Sequence, residues 1–371
     1  MALVDRSAPG RACEPCLRRS WLLARLSATL DYRCADIPRL TELLALDDDE
    51  LIVALGGSRT AALEAEYARF EPAWPRGGTD AETLCRHDAA YPLELRDPGA
   101  PRMLNVRGGG RRLSELTATA VVAVIGTRRA SDYGVAMARS LGHGLSASGV
   151  TVVSALSDGI AAAAHEGTLE AAGQSVAVLG GGLDVGCPAR LRMLLDRLAG
   201  RGCAVSELPG GCQGRRWGPV AAERTIARLA DVTVVVEAGE EPRELAGALI
   251  ARATGGTVAA LPGRVTSPGA RGTNALLMDG AHLVREVKDI LELLPARAAR
   301  TSCDAVTERT ELEPRLLELL ERVGDGMDTP EKLIGAASDA GEVLLALTEL
   351  ELMSLLGRGE GGRYIPREPL P

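Results

Sequence analysis

Apolar positions recur along this chain in three registers, and each predicts a different kind of element. From residue 17 to residue 57 they fall at helical spacing, at Trp21-Leu22-Leu23, Leu26, Leu30, Leu40, Leu43-Leu44, Leu51-Ile52 and Leu55. Gly56-Gly57 closes that run, and residues 63–70 predict one more helix. Residues 1–12 lack the pattern and read as disordered, so residues 1–70 are read as a small helical module. Residues 71–112 mix Pro, Gly and polar side chains and read as a lead-in segment.

Between residues 113 and 294 unbroken apolar runs alternate with longer helical stretches. Strands are predicted at 121–125, 150–156, 175–179, 203–207, 232–237 and 257–261, and helices at 132–148, 160–172, 189–199, 220–230 and 244–254. Strands without a polar face, such as Val232-Thr233-Val234-Val235-Val236, belong to a parallel sheet covered on both sides. The fold class is therefore α/β, with a Rossmann-like parallel sheet as its main domain. Residues 295–310 read as a polar linker. Helices are predicted at 312–323, 329–334 and 342–352, followed by a glycine-rich turn at 359–363. That order is the outline of a winged helix, assigned to residues 311–371.

Parallel sheets hold ligands at the C-terminal ends of their strands, near the point where strand order reverses. The loops to inspect are therefore those that follow the predicted strands. In the first, Gly126-Thr127-Arg128-Arg129 leads from a strand into a helix start. Backbone N–H groups, a hydroxyl and two guanidinium groups at a helix N-terminus suit a phosphate. In the second, Gly159-Ile160 opens an alanine-rich helix carrying His165, read as a structural histidine. After the sixth strand Arg264, Ser267 and Arg271 form a polar, cationic loop on the same sheet edge. Tyr133 and Trp217 are the aromatic side chains placed to stack a base. Asp158, Asp184, Glu207 and Glu237 lie near strand ends, as candidates for sugar hydroxyls. No dinucleotide fingerprint, Walker A loop, nucleophile elbow or metal-binding histidine pair is present, so no cofactor and no catalytic residue is predicted.

Composition adjusts this picture in three places. The net charge of −8 argues against a uniformly basic surface, but residues 311–371 alone carry −7. Any phosphate-binding patch therefore lies in the first 310 residues. Only Lys288 and Lys332 are lysines, so the cations available for phosphate are arginines, which bind it bidentately. Of eight cysteines only Cys13 and Cys16 have ligand spacing, and no second pair matches. Cys34, Cys85 and His87 would complete a site only through the accident of the fold, so no metal is predicted. No apolar run approaches a membrane span and the N-terminus lacks a signal-peptide core, which predicts a cytoplasmic chain with reduced thiols.

Most of the chain resembles the DprA/Smf family of bacterial DNA-processing proteins. The resemblance rests on Val124-Ile125-Gly126-Thr127-Arg128-Arg129, Tyr133-Gly134, Gly159-Ile160, 176–184, Ser206-Glu207, Glu237-Ala238, Leu261-Pro262-Gly263 and 272–276, in that order. It implies a SAM-like or helix-hairpin-helix N-terminal piece and a C-terminal winged helix. It also implies single-stranded DNA as ligand, RecA recombinase as partner, a homodimer and no enzymatic activity. Gly126, Thr127 and Arg128 match the family's Gly-Ser-Arg loop, Gly159 and Ile160 its Gly-Ile-Asp turn, and Arg224 the last arginine of its Arg-Asn-Arg motif. Departures accompany these matches: Ala161 replaces the acid of the turn, Ala222-Glu223-Arg224 replaces Arg-Asn-Arg, and 245–251 has lost both hydroxyl partners. Glu223 would then face phosphate and repel it, weakening DNA affinity. Two other readings remain open. One is a phosphoribohydrolase-like or nucleotide-sensing protein, faintly suggested by Leu208-Pro209-Gly210-Gly211-Cys212; the other is an adaptor that does not bind DNA.

Overall fold

The computed structural model describes residues 12–33, 36–71, 81–295, 314–324, 327, 329–334, 340–352, 356–358 and 364–366. The expectations for residues 1–11, Cys34, most of the linker and the turn at 359–363 lie outside the described residues. The chain divides into two compact units, Met1–Ala305 and Val306–Pro371.

In the first unit the helical spacing produces α1 (Glu14–Arg33), α2 (Ile37–Ala45), α3 (Asp48–Gly56) and α4 (Thr60–Ala68). The start of α3 is locked by a capping box between Asp47 and Glu50. Strands follow as β1 (Ala81–Cys85), β2 (Met103–Arg107), β3 (Val121–Ile125), β4 (Thr151–Ala155) and β5 (Ser175–Val178). The remaining strands are β6 (Cys203–Ser206), β7 (Val232–Val235), β8 (Thr257–Ala260) and the short edge β9 (His282–Leu283). They form one sheet in the order β1-β2-β6-β5-β4-β3-β7-β8-β9. From β6 to β9 every pairing is parallel, while β1 and β2 add on antiparallel at the β6 edge. The lead-in segment is thus part of the sheet. Its strands are short and lie among Pro and Gly, so their alternation does not stand out in the sequence.

Strand β3 shows why the strands are apolar throughout. Val121, Ala123 and Ile125 point into one core, whereas Val122 and Val124 point into the other. The second core is closed by α6 (Asp132–Ala147) and α7 (Ile160–Glu170). The first is closed by α9 (Trp217–Leu229) and α10 (Ala246–Ala253), and it continues without a break into Leu22, Leu30, Leu40 and Leu51 of the N-terminal helices. Helices α5 (Gly110–Ala118), α8 (Arg192–Arg201), α11 (Arg271–Met278) and α12 (Val287–Leu291) complete the unit. The N-terminal helices are therefore bound to the sheet by a shared core. Asp48 adds a polar tie by accepting from Arg19, Arg102 and Tyr67.

The second unit contains helices Pro314–Gly324, Pro330–Ile334 and Ala340–Leu352. A two-stranded antiparallel sheet, Leu356–Arg358 with Tyr364–Pro366, follows them. Leu316, Leu319, Leu333, Leu347, Leu350 and Tyr364 form its core. Among the described residues no helix is long and apolar enough to cross a membrane.

Candidate functional site

The strand that follows β6 in sequence, β7, lies not beside it but beside β3, so the order reverses between β3 and β7. The loops at that end diverge and leave a crevice. The crevice is a cavity of about 880 Å³ lined by the loops after β3, β4, β5, β6 and β7. Five arginines line it, Arg128, Arg129, Arg215, Arg216 and Arg243, against three carboxylates, Asp158, Glu223 and Glu244. All five arginines are exposed. Two of the carboxylates are engaged inside the protein. Asp158 is held by Arg190, which, with Arg128 nearby, keeps its carboxyl below the usual range. Glu244 accepts from the Gly239 N–H at 2.6 Å and from the Thr127 hydroxyl at 3.1 Å. The rim is therefore cationic, with the side chains of Arg128, Arg129, Arg215 and Arg216 exposed to solvent.

The first loop is built differently from the sequence expectation. The N–H of Thr127 donates to the Glu237 carbonyl at 2.7 Å, and its hydroxyl is bound to Glu244. A Cβ at Gly126 would lie 2.5 Å from that same carbonyl, so the glycine serves the close approach of the Glu237 loop. The N-terminus of α6 already holds an anion. The Ser131 N–H and hydroxyl donate to Glu237 Oε2 at 3.0 and 2.9 Å, where a phosphate was expected. What the loop offers a ligand is the pair of exposed guanidinium groups of Arg128 and Arg129.

Other predicted site residues belong to the interior. Gly159 takes φ +74, where a side chain would be strained and would meet the Arg128 carbonyl oxygen at 2.8 Å. Ile160 is fully buried in the second core, with its N–H on the Thr127 carbonyl at 3.2 Å. Trp217 is fully buried, and its indole N–H donates to Ser27 Oγ at 2.9 Å, so it is not a stacking platform. Arg224 is 1% exposed, and its Nη2 reaches both oxygens of Glu207 at 2.6 Å each, so it faces a carboxylate rather than a phosphate. Arg264 is exposed on a loop beside Glu237, Ser267 follows it, and Arg271 is exposed at the start of α11; Tyr133 is 58% exposed on the first turn of α6. None of these lines the cavity. Asp184 binds the Gly211 N–H, so the four carboxylates near strand ends all have partners within the protein. His165 is buried, and its Nδ1 meets a Ser175 hydroxyl that already donates to the Val152 carbonyl. Nδ1 is therefore the protonated nitrogen. Burial pushes the pKa down to about 4, leaving the ring uncharged at neutral pH.

Glu223 is the unusual group in the wall. Its Oε2 is shut off from solvent and has no hydrogen-bond partner among the described residues. Burial pushes its carboxyl up to about 7. A raised carboxyl pKa stabilises the fold most below the unfolded value near 4.5, and that contribution is lost as pH rises through about 7. Stability is therefore expected to fall by up to about 3 kcal/mol across that interval. Urea unfolding at pH 5 and pH 8 checks this, and Glu223→Gln should flatten the difference.

Arg215, Arg216 and Arg243 were missed from sequence. The signal was present as a paired arginine after Gly214, in a loop leaving a strand's C-terminal end. A further constellation bears on the expectation of no metal site. Cys13, Cys16, Cys85 and His87 present ligand atoms all within 4.8 Å of one another. The accident of fold that the sequence could not supply is the docking of the α1 N-terminus against the end of β1.

Comparison with known proteins points one way. Residues 82–295 match the family model described as DNA recombination-mediator protein A. A DNA processing protein DprA of Mycobacterium tuberculosis is 37% identical over 250 residues, covering 67% of this chain and 61% of the relative's length. The X-ray structure of DNA processing protein A from Streptococcus pneumoniae superposes with a TM-score of 0.60 at 25% identity, over 75% of this chain and 98% of that one. A Helicobacter pylori DNA processing protein A, solved for its single-stranded DNA binding mode, shares the fold. It matches with a TM-score of 0.50 at 24% identity, over 57% of this chain and 94% of that one.

Proposed function

The chain belongs to the DNA recombination-mediator protein A family, and from that premise we propose that it binds single-stranded DNA along the arginine rim of the β3/β7 crevice. The observation that carries this reading is the exposure of five arginines around a cavity whose Asp158 and Glu244 are already neutralised or hydrogen-bonded. Guanidinium groups spread along a groove track a phosphodiester backbone and leave the bases unread. Binding is therefore expected to depend little on sequence. The strand-end carboxylates Asp158, Asp184, Glu207 and Glu237 are engaged internally, which favours a binding role over general acid–base catalysis.

Family membership supports three finer elements: a homodimer, hand-over of the bound strand to RecA during natural transformation, and a winged helix in the second unit, whose helices precede a two-stranded sheet. That unit is acidic and is read as a protein contact rather than a DNA contact.

The test is fluorescence polarisation with a labelled single strand and the same sequence as duplex, alongside light scattering and a RecA filament-nucleation assay. The reading expects preference for the single strand and faster nucleation. Hydrolysis of a nucleoside monophosphate, or RecA contact without DNA binding, would replace it. A pH effect is expected as well. Ionised Glu223 repels phosphate, by at least about 0.7 kcal/mol, the value for charges about 6 Å apart in water. Affinity should therefore rise at least about threefold as pH falls from 8 to 6, and Glu223→Gln should remove that dependence.

A further inference from the structure

Four side chains from the two ends of the first unit's N-terminal half converge on one point. Cys13 and Cys16 stand at the start of α1, and Cys85 and His87 at the end of β1. Nδ1 of His87 lies 3.3 Å from Cys13 Sγ, 3.7 Å from Cys16 Sγ and 3.9 Å from Cys85 Sγ. Cys85 Sγ lies 3.7 Å from Cys13 Sγ, and none of the three cysteines is in a disulfide. A tetrahedral zinc with Zn–S near 2.3 Å and Zn–N near 2.05 Å has S···S edges of about 3.8 Å and S···N edges of about 3.6 Å. These four separations lie within a few tenths of an ångström of those edges, and all four ligand atoms lie within 4.8 Å of one another. Three sulfurs packed only as small hydrophobes would gain nothing from an imidazole nitrogen held within 3.9 Å of each of them. We propose that Cys13, Cys16, Cys85 and His87 form a structural Cys3His zinc site.

The surroundings suit that assignment. Cys16 and Cys85 are buried beside Leu17 and Met103, while His87 is exposed and Cys13 half-buried, so an ion reaches the site from one side. The Cys13 N–H points at Cys85 Sγ from 3.5 Å, the contact by which a metal-bound thiolate is stabilised by its outer shell. The Ala12 N–H donates to Thr83 Oγ1 at 3.0 Å, continuing the same docking along β1. With three thiolates and one imidazole the donor set is soft and tetrahedral, which favours zinc over magnesium, calcium or manganese. The ion would clamp residues more than 70 positions apart and fix the N-terminal helices to the edge strand. This site is remote in sequence from every residue of the arginine rim and does not depend on the DNA-binding reading.

The experiment uses the full chain, purified in reductant without a metal-affinity tag. Elemental analysis is expected to find one zinc per chain. After chelation, added cobalt(II) should give the intense visible bands of tetrahedral thiolate coordination, bleached by one equivalent of zinc. His87→Ala changes an exposed side chain and so leaves the fold in place, as far-UV circular dichroism will report; it should lower zinc affinity at least about 10-fold. Cys13→Ser should do the same. Zinc-free protein with reduced thiols and no cobalt bands would overturn the assignment, as would stoichiometric iron with sulfide. So would undiminished zinc affinity in both variants.

Discussion

Arg224→Ala is expected to destabilise the first unit by about 3–5 kcal/mol, the cost of leaving a buried carboxylate without its partner. Arg224 and Glu207 are 1% and 7% exposed, and Nη2 of Arg224 holds both carboxylate oxygens at 2.6 Å. Nη1 also donates to the Gly99 carbonyl at 3.2 Å, which ties α9 to the segment before β2. Removing the guanidinium therefore strands one charge and one carbonyl at once. Denaturant unfolding measures the loss, and Glu207→Gln in the same background should recover part of it because the stranded charge is gone. A family-based expectation places Arg224 on the phosphate. That expectation requires the opposite result, with DNA affinity lost and stability kept.

Replacing Arg128, Arg215 and Arg216 together with alanine is expected to weaken single-stranded DNA binding about 100-fold at 0.1 M salt. Each phosphate contact contributes about 0.7 to the slope of log affinity against log salt for a single strand, so three contacts are worth about two decades at that concentration. All three side chains are exposed, so unfolding should be unaffected. Equilibrium titration of the triple variant checks the loss, and an unfolding curve separates it from damage to the fold.

The parallel sheet was legible because burial on both faces leaves unbroken apolar strands, as at Val121–Ile125. β1 and β2 were not, because five-residue strands among Pro and Gly carry too little alternation. For the site, the location was legible and the donors were not. Arg128 and Arg129 stand where the strand-end rule places them. Thr127 and the α6 N-terminus, by contrast, have their hydrogen-bonding capacity taken by Glu244 and Glu237, residues more than 100 positions away. Trp217 illustrates the same limit: an aromatic in a strand-end loop reads as a stacking platform until Ser27, 190 residues away, is found on its indole. Sequence periodicity reports which face is buried, but not which distant polar group arrives first at a donor.

The central claim is that a cationic rim, rather than a buried phosphate loop, holds the nucleic acid. Its most direct test is the salt dependence of single-stranded DNA binding for the wild type and Arg128→Ala. Five rim arginines predict a wild-type slope of about −3.5, reduced in magnitude by about 0.7 in the variant. No binding at low salt, or a slope that the substitution leaves unchanged, would contradict the account.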